Sequence, residues 1–79
     1  MLRRTAGVDL ETARASAEGT DDVAAHAVSA DLELLSGQVT ECFARMIALV
    51  QRTDGTERDV AKDHLLELLE QVLLLHLLV

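Results

Sequence analysis

The fold is decided by residues 39–52, whose sequence is VTECFARMIALVQR. Apolar residues recur here every three or four positions, which places them on one side of an α-helix with 3.6 residues per turn. This stripe consists of Val39, Cys42, Phe43, Met46, Ile47 and Val50. The opposite side is expected to face solvent, and it carries Thr40, Glu41, Arg45 and Gln51. The stretch therefore predicts an amphipathic helix with one buried face.

Capping residues and glycines divide the rest of the chain into three further helices. Asp9, the run Thr20-Asp21-Asp22 and Thr56 are the residue types that begin helices, and Asp59 follows Thr56 at the third helical position. Gly19, Gly37 and Gly55 stand where a chain leaving a helix needs a left-handed residue. The expected helices span about 10–18, 22–36, 39–52 and 57–78. Short connections make neighbours antiparallel, as in a four-helix bundle or a pair of stacked helical hairpins.

Length and composition favour one small all-α domain covering residues 1–79. The chain has no proline, one aromatic residue and one cysteine, Cys42. A lone cysteine excludes an internal disulfide and fits a reducing compartment, so a cytoplasmic location is expected. A core of this size rarely supplies more than about 3–5 kcal/mol of folding stability, so contact with a partner would add stability that the chain needs.

The charge balance limits the possible partners. The formal net charge is −7, and the one basic pair is Arg3–Arg4. Such a chain repels phosphate backbones and anionic membrane surfaces, so neither nucleic acid nor membrane is expected as a partner. The start lacks the apolar run of a signal peptide. The leucine-rich end is shorter than the ~20 residues of a transmembrane helix and includes Glu67, Glu70 and His76.

The buried faces of the second and fourth helices follow from the same spacing. The second is expected to bury Ala24, Ala27, Val28, Leu32 and Leu35, leaving Asp22, His26 and Glu33 outside. The fourth is expected to bury Ala61, Leu65, Leu68, Leu69 and Val72. Beyond Leu73 it becomes apolar on all sides, and such a helix requires burial on all sides. We therefore expect contact with another molecule through Leu66, Leu73, Leu74, Leu77 and Leu78.

No catalytic, cofactor or metal site is expected. Cys42, His26, His64 and His76 lack the close spacing of a metal site, and Cys42 lies within an apolar stripe where it fills the core. The carboxylates stand at helix caps and on outward faces, where they complement the helix dipole instead of forming an acid–base pair. The chain is not expected to be an enzyme.

Two stretches resemble a known family. Residues 31–39 (DLELLSGQV) with 43–50 (FARMIALV), and residues 55–70 (GTERDVAKDHLLELLE), are similar to the C-terminal tetratricopeptide region of the thioredoxin-like co-chaperones, or chaperedoxins. Gly7-Val8-Asp9-Leu10 and the Ala-rich helix after it share the likeness, which covers roughly Arg4 to Val72. The resemblance implies tetratricopeptide-like helical hairpins that bind unfolded clients and chaperones. The chain has no Cys-x-x-Cys pair or thioredoxin domain, so no redox role is implied.

These observations favour a non-enzymatic, tetratricopeptide-like module of co-chaperone or scaffold type whose partner is a protein: a client polypeptide, a chaperone or a second copy. The alternative is a self-associating structural protein, a homodimeric bundle formed through the leucine-rich C-terminal helix. A third possibility is a fragment without activity of its own.

Overall fold

The computed structural model describes residues 9–78 of the 79-residue chain. Within these residues there are four helices and no strand, so the all-α prediction is confirmed. The helices are α1 (Leu10–Ala17), α2 (Val23–Leu35), α3 (Val39–Arg52) and α4 (Gly55–Leu78). Each boundary lies within two residues of the range expected from the sequence. The pair Arg3–Arg4 and the expectation of a start without a signal peptide lie outside the described residues.

Aspartates begin the first two helices. The carboxylate of Asp9 accepts a hydrogen bond from the backbone N–H of Thr12 at 2.9 Å. Asp22 accepts one in the same way from the N–H of Ala24 at 3.2 Å. Both bonds satisfy amide groups that the first turn of a helix leaves without a partner. The starts of α1 and α2 are thus set by local sequence.

A left-handed glycine turns α2 back into α3. Gly37 has a φ of +82°, and the next backbone N–H, that of Gln38, donates to the carbonyl of Glu33 at 2.8 Å. This pattern satisfies the last carbonyls of α2 and reverses the chain within three residues. α2 and α3 therefore form the antiparallel hairpin expected from the sequence.

The start of α4 differs from the prediction. Thr56 was expected at the N-cap with Asp59 at the third helical position, but the helix begins at Gly55. Gly55 has a φ of +62°, and the N–H of Arg58 donates to the carbonyl of Asp54 at 3.4 Å. A φ of +62° is left-handed, so Gly55 makes the tight turn into α4, and the bond from Arg58 to Asp54 closes the first helical turn around Thr56.

The apolar core lies where α2, α3 and α4 meet. Its fully buried residues are Ala30, Cys42, Met46, Leu49, Ala61 and Leu68. α3 supplies three of these: Cys42 and Met46, which belong to the predicted stripe, and Leu49, which does not. Val39 and Ile47, also predicted to be buried, are exposed at 40 % and 47 %. α2 packs against all three other helices, and α4 packs on α3 and α2.

α2 buries a different side from the one expected. The side expected to be buried is exposed or only half-buried: Ala24, Ala27, Val28, Leu32 and Leu35. The side that is buried consists of His26, Ser29, Ala30 and Glu33. The prediction was wrong because it took charge as the sign of an outward face. Glu33 is neutralised by arginines from two neighbouring helices, which offsets much of the cost of burying a carboxylate.

α4 extends beyond the helices on which it packs. Its 24 residues make a helix of about 36 Å, compared with about 20 Å for the 13 residues of α2. His64 on α4 donates a hydrogen bond from Nε2 to Oδ1 of Asp31 on α2 at 2.9 Å, so the two helices are level there. α2 ends four residues after Asp31. The last ten residues of α4, 69–78, therefore project past α2.

Candidate functional site

A groove lies between α1 and α3 in the described chain. It is open to solvent, has a volume of about 960 Å³, and has α2 as its floor. One wall consists of Glu11, Arg14 and Ala15 of α1 with Glu18 directly after it, and the other wall includes Gln38, Glu41, Arg45 and Arg52. Within each wall the residues recur at helical spacing, so they form one face of each helix. The two polar helix faces thus lie opposite each other across the groove.

Glu33 joins the two walls from the floor. Its carboxylate accepts two hydrogen bonds from Arg45 on α3, from Nε to Oε1 and from Nη2 to Oε2, each at 3.0 Å. Arg14 on α1 donates from Nε to Oε2 at 2.9 Å, and its Nη2 also donates to Gln38. Glu33 is only 1 % exposed. Arg45, expected to face solvent, instead turns inward to bind this carboxylate.

The two arginines keep Glu33 ionised. Burial acts to raise the pKa of this carboxyl, but hydrogen bonds from Arg45 and Arg14 and the charges of both groups outweigh it, so the pKa is lowered from its ordinary value. A carboxyl held ionised in this way cannot serve as a general acid near neutral pH. Its geometry suits a structural clamp.

His26 extends the cluster toward the loop between α1 and α2. Its Nε2 lies 2.7 Å from the carbonyl oxygen of Thr20, and its Nδ1 lies 3.1 Å from Nη1 of Arg45. A carbonyl and a guanidinium can only accept and donate, respectively, so Nε2 carries the proton and Nδ1 accepts. The ring is therefore the neutral tautomer. This chain of bonds fixes the loop against α3.

A second ion pair stands at the rim of the groove. Nε of Arg52, the last residue of α3, donates to Oδ1 of Asp21 at 2.8 Å. Both side chains are about half-exposed, and pairs of this kind contribute about 0–1 kcal/mol. The pair ties the loop before α2 to the end of α3.

The four residues considered for metal binding lie in separate environments. Cys42 is fully buried in the core, as expected, and burial together with the charges of Glu33 and Asp31 raises the pKa of its thiol to about 11. His26 belongs to the groove cluster, and His64 is bonded to Asp31 and lies 3.5 Å from Glu67. His76 is exposed in the last turn of α4. Within residues 9–78 the acidic, histidine and cysteine side chains form no metal-binding group of three or more.

Of the leucines predicted as contact residues, all but Leu66 lie on the projecting part of α4, residues 69–78. The set Leu66, Leu73, Leu74, Leu77 and Leu78 is exposed throughout. The exposed fraction rises from 58 % at Leu66 to 82 % at Leu78. The described chain therefore leaves an apolar surface at this end uncovered. None of its helices is long and apolar enough to cross a membrane.

A comparison with protein-family models identifies the family to which this fold belongs. The model described as "Tetratricopeptide repeat" matches residues 3–77, almost the whole chain. The chain belongs to the tetratricopeptide repeat family. Tetratricopeptide-like modules are generally non-catalytic and mediate protein interactions, and membership suggests that role for this chain.

Curated relatives of this tetratricopeptide chain are much longer than it is. It is 43 % identical over 51 residues to Uncharacterized protein Mb1359 of Mycobacterium bovis and to Uncharacterized protein Rv1324 of Mycobacterium tuberculosis. The matched segment covers 65 % of this chain but 17 % of each relative. The chain thus spans about one sixth of the relatives it matches. No solved structure matches it significantly.

The groove was not predicted from the sequence, although the spacing of charged residues contains a signal for it. Glu11, Arg14 and Glu18 follow the spacing i, i+3, i+7, and Glu41 and Arg45 follow i, i+4 on α3. Such charged stripes resemble an ordinary solvated face when one helix is considered alone. The groove becomes visible only when both stripes are paired with the buried acid between them.

Proposed function

We propose that this tetratricopeptide module is a non-enzymatic, co-chaperone-type or scaffold protein that holds a segment of another polypeptide in the groove between α1 and α3. The observation that carries the proposal is the groove, a concave surface of about 960 Å³ formed by two facing helices. Ligand sites are typically concave and largely formed before the ligand arrives.

The clamp beneath the groove supports this proposal. Arg14 on one wall and Arg45 on the other share the carboxylate of Glu33, so the spacing of the walls is tied to a buried, charge-assisted contact. A surface held in its binding geometry loses less conformational freedom when a partner binds. The module therefore presents a prepared surface to its partner.

The co-chaperone assignment rests on the resemblance of residues 4–72 to the helical region of thioredoxin-like co-chaperones. The relatives are far longer than this chain, and the role of such a longer protein is part of the proposal. The one cysteine is a buried thiol, which suits a reducing compartment such as the cytoplasm.

Site-directed photo-cross-linking tests the groove. Ala15 lines it, whereas the next residue, Ser16, is exposed but outside it. Ala15→Cys and Ser16→Cys would each carry a benzophenone maleimide, since the native Cys42 is buried. With reduced, carboxamidomethylated lysozyme as an unfolded polypeptide that is rich in Lys and Arg, we expect cross-links mainly from position 15. Equal yields from both positions, or none from either, would refute binding in the groove.

A second candidate function is self-association through the projecting end of α4. It is favoured by the exposure of the contact leucines, above all Leu77 and Leu78. Burying a leucine side chain contributes roughly 1.5–3 kcal/mol, so several together provide a strong drive to associate. Light scattering after size-exclusion chromatography at two protein concentrations tests it. A dimer at both favours the structural role, and a monomer at both removes it.

A further inference from the structure

The cations of the groove are already bonded to carboxylates of the same chain. Arg14 and Arg45 both bind Glu33, and Arg52 binds Asp21. Arg45 uses all three of its nitrogens, two toward Glu33 and one toward His26. An anionic segment entering the groove would have to compete with these internal contacts. The groove is therefore poorly suited to an acidic partner.

Carboxylates without such a cation stand on both walls. Glu11 lies on α1, Glu18 directly follows that helix, and Glu41 lies on α3. All three residues are exposed, and none is within salt-bridge distance of a described cation. Among the described residues that line the groove, five carboxylates face three guanidinium groups, which leaves a net charge of −2. At the floor, the single negative charge of Glu33 is paired with two arginines. The net negative charge of the groove therefore comes from the glutamates on its walls.

We propose that the groove selects a cationic polypeptide segment with at least two Lys or Arg side chains spaced to meet the walls. This inference rests on the proposed function. Glu11 and Glu18 are seven residues apart, or about 10.5 Å along α1. Two cations match that spacing when they are seven residues apart in a helix or three apart in an extended strand.

The composition of the wall supports the same partner. Arg14 and Ala15 lie between the two glutamates. The Arg14 guanidinium is bonded to Glu33, and the short apolar side chain of Ala15 leaves room for the stem of a Lys or Arg side chain. Long cationic side chains commonly place the stem on an apolar surface and the charge at a polar edge. Charge complementarity of this kind gives specificity and speeds association more than it adds affinity.

The test measures binding of two synthetic helical peptides by fluorescence anisotropy. One has Lys at positions i, i+3 and i+7 in an Ala-rich background, and the other has Glu at those positions. The site variant is Glu11→Gln/Glu18→Gln/Glu41→Gln. The matched control, Glu57→Gln/Asp59→Asn/Glu70→Gln, removes the same number of charges from exposed positions of α4 outside the groove. Circular dichroism checks that both variants remain helical.

We expect the Lys peptide to bind and the Glu peptide not to bind. The site variant should bind the Lys peptide about tenfold more weakly than the native protein, and the control variant less than about threefold more weakly. The affinity of the native protein for the Lys peptide should also fall as the NaCl concentration rises. Equal weakening by the two variants would mean that only net charge matters and would overturn the inference.

Cross-linking from Ala15→Cys distinguishes the remaining outcomes. If unfolded polypeptide cross-links there while the Lys peptide fails to bind, or the Glu peptide binds better, the groove functions but the cationic preference is wrong. If neither peptide binds and no cross-link forms, the proposed function fails as well.

Discussion

The carboxylate of Glu33 and the guanidinium of Arg45 are joined by two parallel hydrogen bonds of 3.0 Å between α2 and α3. This is the fork-to-fork geometry in which arginine binds carboxylates most specifically. Because Glu33 is almost completely buried, its charge depends on this partner and on Arg14. The contact determines which face of α2 is buried and thereby places α1 and α3 on either side of the groove.

Removing Arg45 is expected to be strongly destabilising. Arg45→Met leaves the buried Glu33 carboxylate with Arg14 alone, and breaking a buried pair by deleting one partner costs about 3–5 kcal/mol. A loss of that size approaches the whole stability of a domain this small, so much of the variant should be unfolded in buffer. Helicity measured by circular dichroism during urea titration provides the test.

The matched control is Arg52→Met, which breaks the exposed pair with Asp21. Its cost should lie within about 1 kcal/mol. Similar losses in the two variants would show that Glu33 is better solvated than its burial indicates.

Acid should weaken the fold through Glu33. Because its pKa is lowered in the folded state, its stabilising contribution is present above the unfolded value of about 4.3 and is lost as pH falls through the folded value. Carbon-13 NMR of the Glu33 side-chain carboxyl should show a midpoint below about 4.3. A Glu33 midpoint at or above about 4.3 would contradict the clamp.

The sequence was sufficient to predict the helices because their signals are local. Asp9 and Gly37 act through bonds to residues within a few positions, so their effect can be inferred without knowledge of the fold. The apolar stripe of α3 carried similar information, and Cys42 and Met46 are buried as expected.

The groove could not be predicted because its contacts join distant parts of the chain. Glu33 meets Arg14 across 19 positions and Arg45 across 12. A glutamate on one helix carries no sign that two arginines will neutralise it. The same missing information led to the wrong buried face for α2, where Leu35 proved 83 % exposed.

A substitution at Gly37 should destabilise the hairpin through the backbone alone. A Cβ at this position would meet no atom within 4 Å, but the φ of +82° is unfavourable for L-residues. Gly37→Ala should therefore cost about 1–2 kcal/mol. Gly37→Asn should cost less, because asparagine tolerates the left-handed region better. Urea midpoints of the two variants give the comparison, and an alanine variant as stable as the native protein would argue against this turn.

The Cys42 thiol should be unreactive in the folded protein. Its pKa of about 11 leaves little thiolate at pH 8, so reaction with Ellman's reagent should be at least about tenfold slower than in urea. Because the pKa is raised, stability should also fall as pH rises from the ordinary thiol value of about 8.5 toward 11. Cys42→Ala should remove that part of the alkaline dependence. Equally rapid reaction in buffer and urea would contradict burial of the thiol.

Charges placed on the projecting end of α4 should disperse any assembly that this end holds together. Leu74→Glu/Leu78→Glu introduces two carboxylates at exposed positions where the described chain makes few contacts, so the fold should remain intact. If self-association depends on this apolar surface, the molar mass from light scattering should fall to that of a monomer, because burying unpaired carboxylates is costly. The control Val28→Glu/Val60→Glu places the same charge at half-exposed apolar positions elsewhere. Persistence of the assembly in the leucine variant, or its loss in both variants, would exclude the end of α4 as the specific contact.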